Sequence, residues 1–210
     1  MSPDSLVHTA ADQARSVVLQ MMAERGRGVV LVGIARIDLA LERLLKAVMA
    51  PTDESVESDD ALFRPDRSLG SFAAKISLAS RLALIDPAVA KALHALRSVR
   101  NDVAHSADDT SLAAPYHRKR LAPAYEEALA NPLWPPLEAI LEAQGGLDAD
   151  QRQFILLVTV LVAFIESCAR LQQPFQPRAT PKLETPKLEV MENRGLEPLT
   201  SAVRSQRSTS

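Results

Sequence analysis

The sequence predicts an all-α fold, a single multi-helix bundle, and three observations carry the prediction. Aromatic residues make up 4% of the 210 residues, so aliphatic side chains have to fill the core. Strong helix formers such as Ala, Leu, Glu and Arg are frequent. Apolar residues recur at helical spacing in several long stretches. We therefore expect one domain over residues 5–171, followed by a disordered tail over residues 172–210.

The first half of the chain contains two predicted helices joined at a glycine-rich break. Residues 5–24 form the first, and Glu24-Arg-Gly-Arg-Gly28 ends or bends it. Residues 29–49 form a longer helix. Asp38 and Glu42, four residues apart, lie beside its apolar stripe and are placed partly inward. The alternative is that both carboxylates are solvated on the helix flank.

Residues 51–70 are acidic and contain proline, so we expect a surface loop with a short apolar contact at Leu62 and Phe63. Its acids do not follow the spacing of a calcium loop. Ser71 to Ile85 is predicted to be the next helix, and Lys75 falls off its inner face.

The most informative stretch runs from Asp86 to His105. Asp86 is a good N-cap and Pro87 suits the first helical position. Arg100 falls in the middle of the apolar face of this predicted helix, where a charge is costly unless it is paired. The spacing therefore predicts a buried ion pair between Arg100 and Asp38 or Glu42.

The last part of the domain contains three predicted helices after a loop broken by Pro115. The helices cover residues 123–130, 137–143 and 150–171. The apolar run from Phe154 to Ile165 is about half of the ~20 residues that a bilayer crossing needs, so no membrane span is expected. Trp134 is either a ligand platform or a cap on the core, the commoner role for such a residue.

Composition and charge limit the classes of function. Lys and Arg total 24 against 26 for Asp and Glu, so no overall positive field attracts nucleic acid. The dense basic cluster His117-Arg-Lys-Arg120 either contacts phosphates or, more often for such runs, is solvated. Cys168 is the only cysteine, which suits a reducing cytoplasm. We find no metal-ligand spacing, no phosphate-binding glycine loop and no cofactor motif.

Four stretches, taken together and in order, resemble the mannitol operon repressor family. They are Arg25-Gly-Arg27, Ala35–Leu45, Leu69–Asp86 and Arg97–His105. The family often has an aromatic residue and then a glycine after the position of Ala79, where this chain has Ser80 and Ala83. The resemblance implies an all-helical cytoplasmic transcriptional regulator without a recognisable DNA-reading element. It makes direct DNA binding unlikely, and a homodimer or a protein partner is expected.

Arg100-Asn-Asp-Val-Ala-His105 also resembles the signature of HEPN domains, helical bundles that are often ribonucleases. This resemblance implies an alternative function: metal-independent RNA cleavage, with His105 as general acid or base, Arg100 steadying the phosphate charge and Asn101 as the signature's polar residue. An ideal helix places Arg100 and His105 about 140° apart, so they converge only if the helix ends or kinks near Ala104, or across a dimer. A structural role for both residues is the simpler interpretation.

The tail carries no predicted function. TPKLE occurs twice in tandem, and periodic apolar residues disappear after Gln172. From Met191 the chain resembles a peptide found at the ends of unrelated predicted bacterial proteins, where it looks like translation through a transfer-RNA gene. Residues 191–210 therefore need not belong to the native protein.

Overall fold

The computed structural model describes residues 14–50, 61–106 and 112–174. Within those ranges the chain forms seven α-helices and no strand, which confirms the all-α prediction. We number helical residues 14–22 as α1; the others are α2 (Arg27–Val48), α3 (Phe72–Arg81), α4 (Pro87–His105), α5 (Pro115–Leu129), α6 (Trp134–Gln144) and α7 (Ala149–Leu171). By its internal contacts the chain divides into Met1–Gln176 and Pro177–Ser210. The predicted tail lies outside the described residues, apart from residues 172–174.

Helices α2 and α7 form the centre of the bundle. From Phe154 to Ile165, α7 is buried at every position except Phe164, as its continuous apolar sequence predicts. Gly33 allows α1, α2 and α7 to approach closely, because a Cβ there would lie 2.8 Å from Met21 Cε and 3.1 Å from Phe154 Cε1. A larger residue at Gly33 would force the helices apart.

Helix α7 is long and apolar enough to cross a membrane, with a mean hydropathy of 2.2 over its most apolar window. However, 67% of that window is buried inside the protein. Burial of this kind is typical of the core helix of a soluble protein, since a spanning helix in a single chain would present its apolar face to lipid.

Side-chain caps define the starts of three helices. Asp86 Oδ1 accepts a hydrogen bond from the Val89 amide at 2.8 Å, and Pro87 takes the first position of α4. Asp148 caps α7 in the same way, and the Ser71 hydroxyl caps α3. Each cap satisfies an amide that has no partner within the helix.

Helix α3 ends earlier than predicted, at Arg81 instead of Ile85. The Leu84 amide donates to the Ala79 carbonyl and the Ala83 amide to the Ser80 carbonyl, which is the pattern of a Schellman motif. Ala83 adopts the left-handed conformation that this motif requires, with φ of 54°. Glycine is the usual residue at this position because it has no Cβ.

Helix α5 begins earlier than predicted, at Pro115 rather than near Pro123. Proline is well suited to a first helical turn, where its missing amide is not needed, so Pro115 starts the helix instead of breaking the chain. Pro123 lies inside the helix, which nevertheless continues to Leu129.

Candidate functional site

The carboxylates of Asp38 and Glu42 on α2 meet a buried lysine from α3. Lys75 Nζ lies 3.0 Å from Asp38 Oδ2 and 3.0 Å from Glu42 Oε2, and its side chain is 3% exposed. The ring of Phe63 stands 5.9 Å from the same nitrogen. The prediction that Lys75 lies off the inner face of α3 is therefore wrong. The acidic pair could have indicated this contact from the sequence, because two carboxylates that face inward need a cation nearby. Lys75 is the first cationic residue on α3.

Glu42 has a second cationic neighbour. Lys46, one turn further along α2, donates to Glu42 Oε1 at 2.7 Å. Partial burial by itself raises the pKa of the Glu42 carboxyl, but the hydrogen bonds and charges of Lys46 and Lys75 outweigh it, so the net pKa is lowered. Glu42 is thus held as the charged form and has a structural role.

The predicted ion pair of Arg100 with Asp38 or Glu42 is not formed. Arg100 is exposed, and its Nη1 donates to Asn101 Oδ1 at 3.3 Å. Arg100 shares its side of α4 with the buried Val89 and Leu93, but near the C-terminal end of the helix this side opens into a groove instead of packing against a neighbour. Arg100 therefore lies at the edge of the core, beside an open groove.

That groove, of about 570 Å³, lies between α2, the start of α3 and the C-terminal half of α4. Arg97, Arg100 and Asn101 line it from α4, whereas Leu31 and Asp38 line it from α2. The volume falls in the range of small-molecule sites. We refer to it below as the α2–α4 groove.

The structure does not bring Arg100 and His105 together within one chain. Helix α4 runs without interruption to His105, and Ser106 follows as its C-cap. The Arg27 guanidinium donates to the Ser106 carbonyl at 2.6 Å and so closes this helix end. His105 is exposed but does not line the α2–α4 groove, because it lies on another face of the helix.

The basic cluster at the start of α5 is largely engaged in the fold. His117 is fully buried. Arg118 forms a two-point ion pair with Asp150, at 2.8 and 2.6 Å, and Arg120 pairs with Asp102 on α4. These contacts tie α5 to α7 and to α4, so the cluster is not a free phosphate-binding patch.

Other polar groups offer little for catalysis. Trp134 is 3% exposed and packs in the core instead of forming an open platform. Burial, with a smaller contribution from Asp86, raises the pKa of the Cys168 thiol, which disfavours a reactive thiolate. Within residues 14–50, 61–106 and 112–174, no three His, Cys, Asp or Glu side chains are grouped to hold a metal ion.

Comparison with known proteins identifies the fold. The chain is similar to a chain in the X-ray structure of the MtlR–HPr complex from Escherichia coli, with a TM-score of 0.56 and 18% sequence identity. The match covers 74% of this chain and 99% of that chain. No family profile and no curated protein sequence matches. The chain therefore has the fold of MtlR, the mannitol operon repressor.

Proposed function

We propose that this chain is a cytoplasmic transcriptional regulator of the mannitol operon repressor type that acts by binding a protein partner. The observation that carries the proposal is the fold shared with MtlR over nearly all of the matched chain, in a structure where MtlR is bound to HPr. The ordered set of sequence stretches that resembles the family adds independent support.

Charge supports a protein partner over direct reading of DNA. The net charge of the whole chain is −2, and the arginines of the basic cluster on α5 are paired with Asp150 and Asp102. A protein that binds DNA unaided normally presents a basic surface with unpaired Lys and Arg residues. We expect weak DNA binding by the chain alone.

The HEPN alternative receives no support from the geometry of one chain. RNA cleavage needs a general base and a cation at the same phosphate. An unbroken α4 keeps Arg100 and His105 on different faces, about 140° apart around the axis. A second copy of the chain would have to complete such a site.

Co-purification tests the proposal. The full chain carrying an affinity tag is expressed together with HPr from the same organism, and an unrelated tagged helical protein serves as the control. We expect HPr to co-elute with the chain and not with the control. If HPr is absent from the eluate although the tagged chain is folded, the proposal that this chain is an HPr-binding regulator is overturned.

The same cells test the alternative function. Growth arrest with cleaved RNA that disappears in His105→Ala would establish the ribonuclease instead. Unchanged growth and intact RNA are expected for both proteins.

A further inference from the structure

The α2–α4 groove has one cationic side and one apolar side. Arg97 and Arg100 stand on the α4 side, whereas Leu31, Ile34 and Phe72 line the opposite walls from α2 and α3. Leu31 is 39% exposed and lies one turn from the buried Ile34, so its side chain is available to a ligand in the groove. A groove of this kind suits a molecule that has both a charged and an apolar part.

The two arginines are placed to act on one group. They are three residues apart on α4, so their side chains leave the same face on successive turns. Both are exposed, and among the described residues neither forms an ion pair with a carboxylate. Two guanidinium groups in this arrangement present several N–H donors to an anion, and phosphate is the anion whose geometry they match well.

The one carboxylate among the described residues that line the groove already has a cationic partner. Asp38 is paired with Lys75, and Glu42 behind it is paired with both Lys75 and Lys46. With Arg97 and Arg100 counted beside Lys46 and Lys75, this part of the molecule holds four cations and two carboxylates. The local charge therefore favours an anionic ligand even though the whole chain is slightly acidic.

The start of α3 adds a weaker contribution of the same sign. Gly70, Ser71, Phe72 and Ala73 form part of the groove wall. The Ser71 hydroxyl caps the Ala74 amide, and the amides of the first turn carry the partial positive charge of a helix N-terminus. This end of α3 faces the same space as the two arginines.

We infer that the α2–α4 groove binds a small phosphate monoester whose organic part is apolar or aromatic. Arg97 and Arg100 hold the phosphoryl group, and Leu31 and Phe72 pack against the organic part. The inference does not rest on the proposed partner, because it concerns a ligand site of this chain alone.

Calorimetric titration of the full chain with three probes tests the inference. Phenyl phosphate carries both a phosphoryl group and an aromatic ring. Inorganic phosphate carries only the anion, and phenol carries only the ring. We expect phenyl phosphate to bind with a Kd of about 1 mM or tighter, and inorganic phosphate about tenfold more weakly. Phenol should not bind measurably. Binding should also weaken as salt is added, since the arginines are exposed.

Matched variants locate the site. Arg97→Gln combined with Arg100→Gln should weaken phenyl phosphate binding at least about tenfold. Lys91→Gln is the control, because it removes an exposed cation from α4 outside the groove, and it should leave the affinity unchanged. Leu31→Ala should weaken phenyl phosphate by about threefold while leaving inorganic phosphate unaffected.

Two outcomes would overturn the inference. One is the absence of phenyl phosphate binding at a concentration of about 10 mM, tenfold above the expected Kd. The other is binding that the double arginine variant retains while its unfolding curve shows a normal fold. Binding of HPr is measured separately, so the two proposals fail independently.

Discussion

The arginines of α4 and those of α5 are exposed cations, but they differ in their partners. On α5, Arg118 is joined to Asp150 and Arg120 to Asp102, so each guanidinium bridges two helices. On α4, Arg97 and Arg100 line an open groove without a carboxylate partner among the described residues. The dense basic run is thus structural, and the sparser pair is available to a ligand.

This difference shows why the density of basic residues along a sequence is a poor guide to where a phosphate-binding surface lies. A basic run indicates a surface for phosphates only if its side chains have no acid to pair with. Asp150 is 32 residues from Arg118 and Asp102 is 18 residues from Arg120, so only the packing of α4, α5 and α7 shows that the α5 arginines are engaged.

The largest effect is expected where the pairing is most buried. Lys75→Met leaves Asp38 and Glu42 facing each other without their shared cation, and we expect a loss of about 3 kcal/mol in the free energy of unfolding. Urea denaturation measures it. Lys46→Met removes an exposed cation and should cost less than about 1 kcal/mol. Equal losses for the two variants would contradict the assigned role of Lys75.

A smaller effect of opposite sign is expected at the end of α3. Ala83→Gly relieves the left-handed backbone conformation at a position where the Schellman motif prefers glycine. The free energy of unfolding should rise by about 1 kcal/mol. Ala73→Gly on the same helix is the matched control and should lower it by a similar amount. Destabilisation by Ala83→Gly would show that this helix end is not strained.

Acid should weaken the Lys75 cluster in a defined direction. The pKa of Glu42 is lowered in the folded state, so its contribution is fully present above its unfolded pKa and is lost as the pH falls through its folded pKa. In the Glu42→Gln variant we expect the free energy of unfolding to decrease less as the pH falls. Urea denaturation at several pH values below 5 measures this dependence. An unchanged pH profile would exclude this role for Glu42.

The smallest effects compare the two sets of arginines directly. Arg120→Gln should lower the free energy of unfolding by about 0.5 kcal/mol, since its pair with Asp102 is more than a third exposed. Arg97→Gln combined with Arg100→Gln should leave stability unchanged within about 0.3 kcal/mol, because no acidic partner among the described residues is lost. A larger loss in the α4 double variant would reveal a structural role for Arg97 and Arg100.

The fold could be predicted from the sequence further than the site could. Helical periodicity located α2, α4 and α7 to within two residues, because long amphipathic or wholly apolar stretches leave little ambiguity. The shorter α3 and α5 were misjudged at their ends. Ala83 adopts a conformation that its residue type does not indicate, and Pro115 starts a helix where a break was expected.

The site was predicted in part. Asp38 and Glu42 meet a cation from another helix, but that cation is Lys75 and not Arg100. A helical wheel gives angles around one axis and does not show where neighbouring helices leave a face uncovered. The α2–α4 groove is such a place, and it leaves Arg100 exposed at the edge of an apolar stripe.

Calorimetric titration of purified HPr into the full chain tests the central claim, a regulator that acts through a protein partner, most directly. We expect a saturable signal with one HPr per chain and a Kd of about 10 µM or tighter. Heats no larger than those of dilution, with both proteins folded and at concentrations about tenfold above that Kd, would contradict the account.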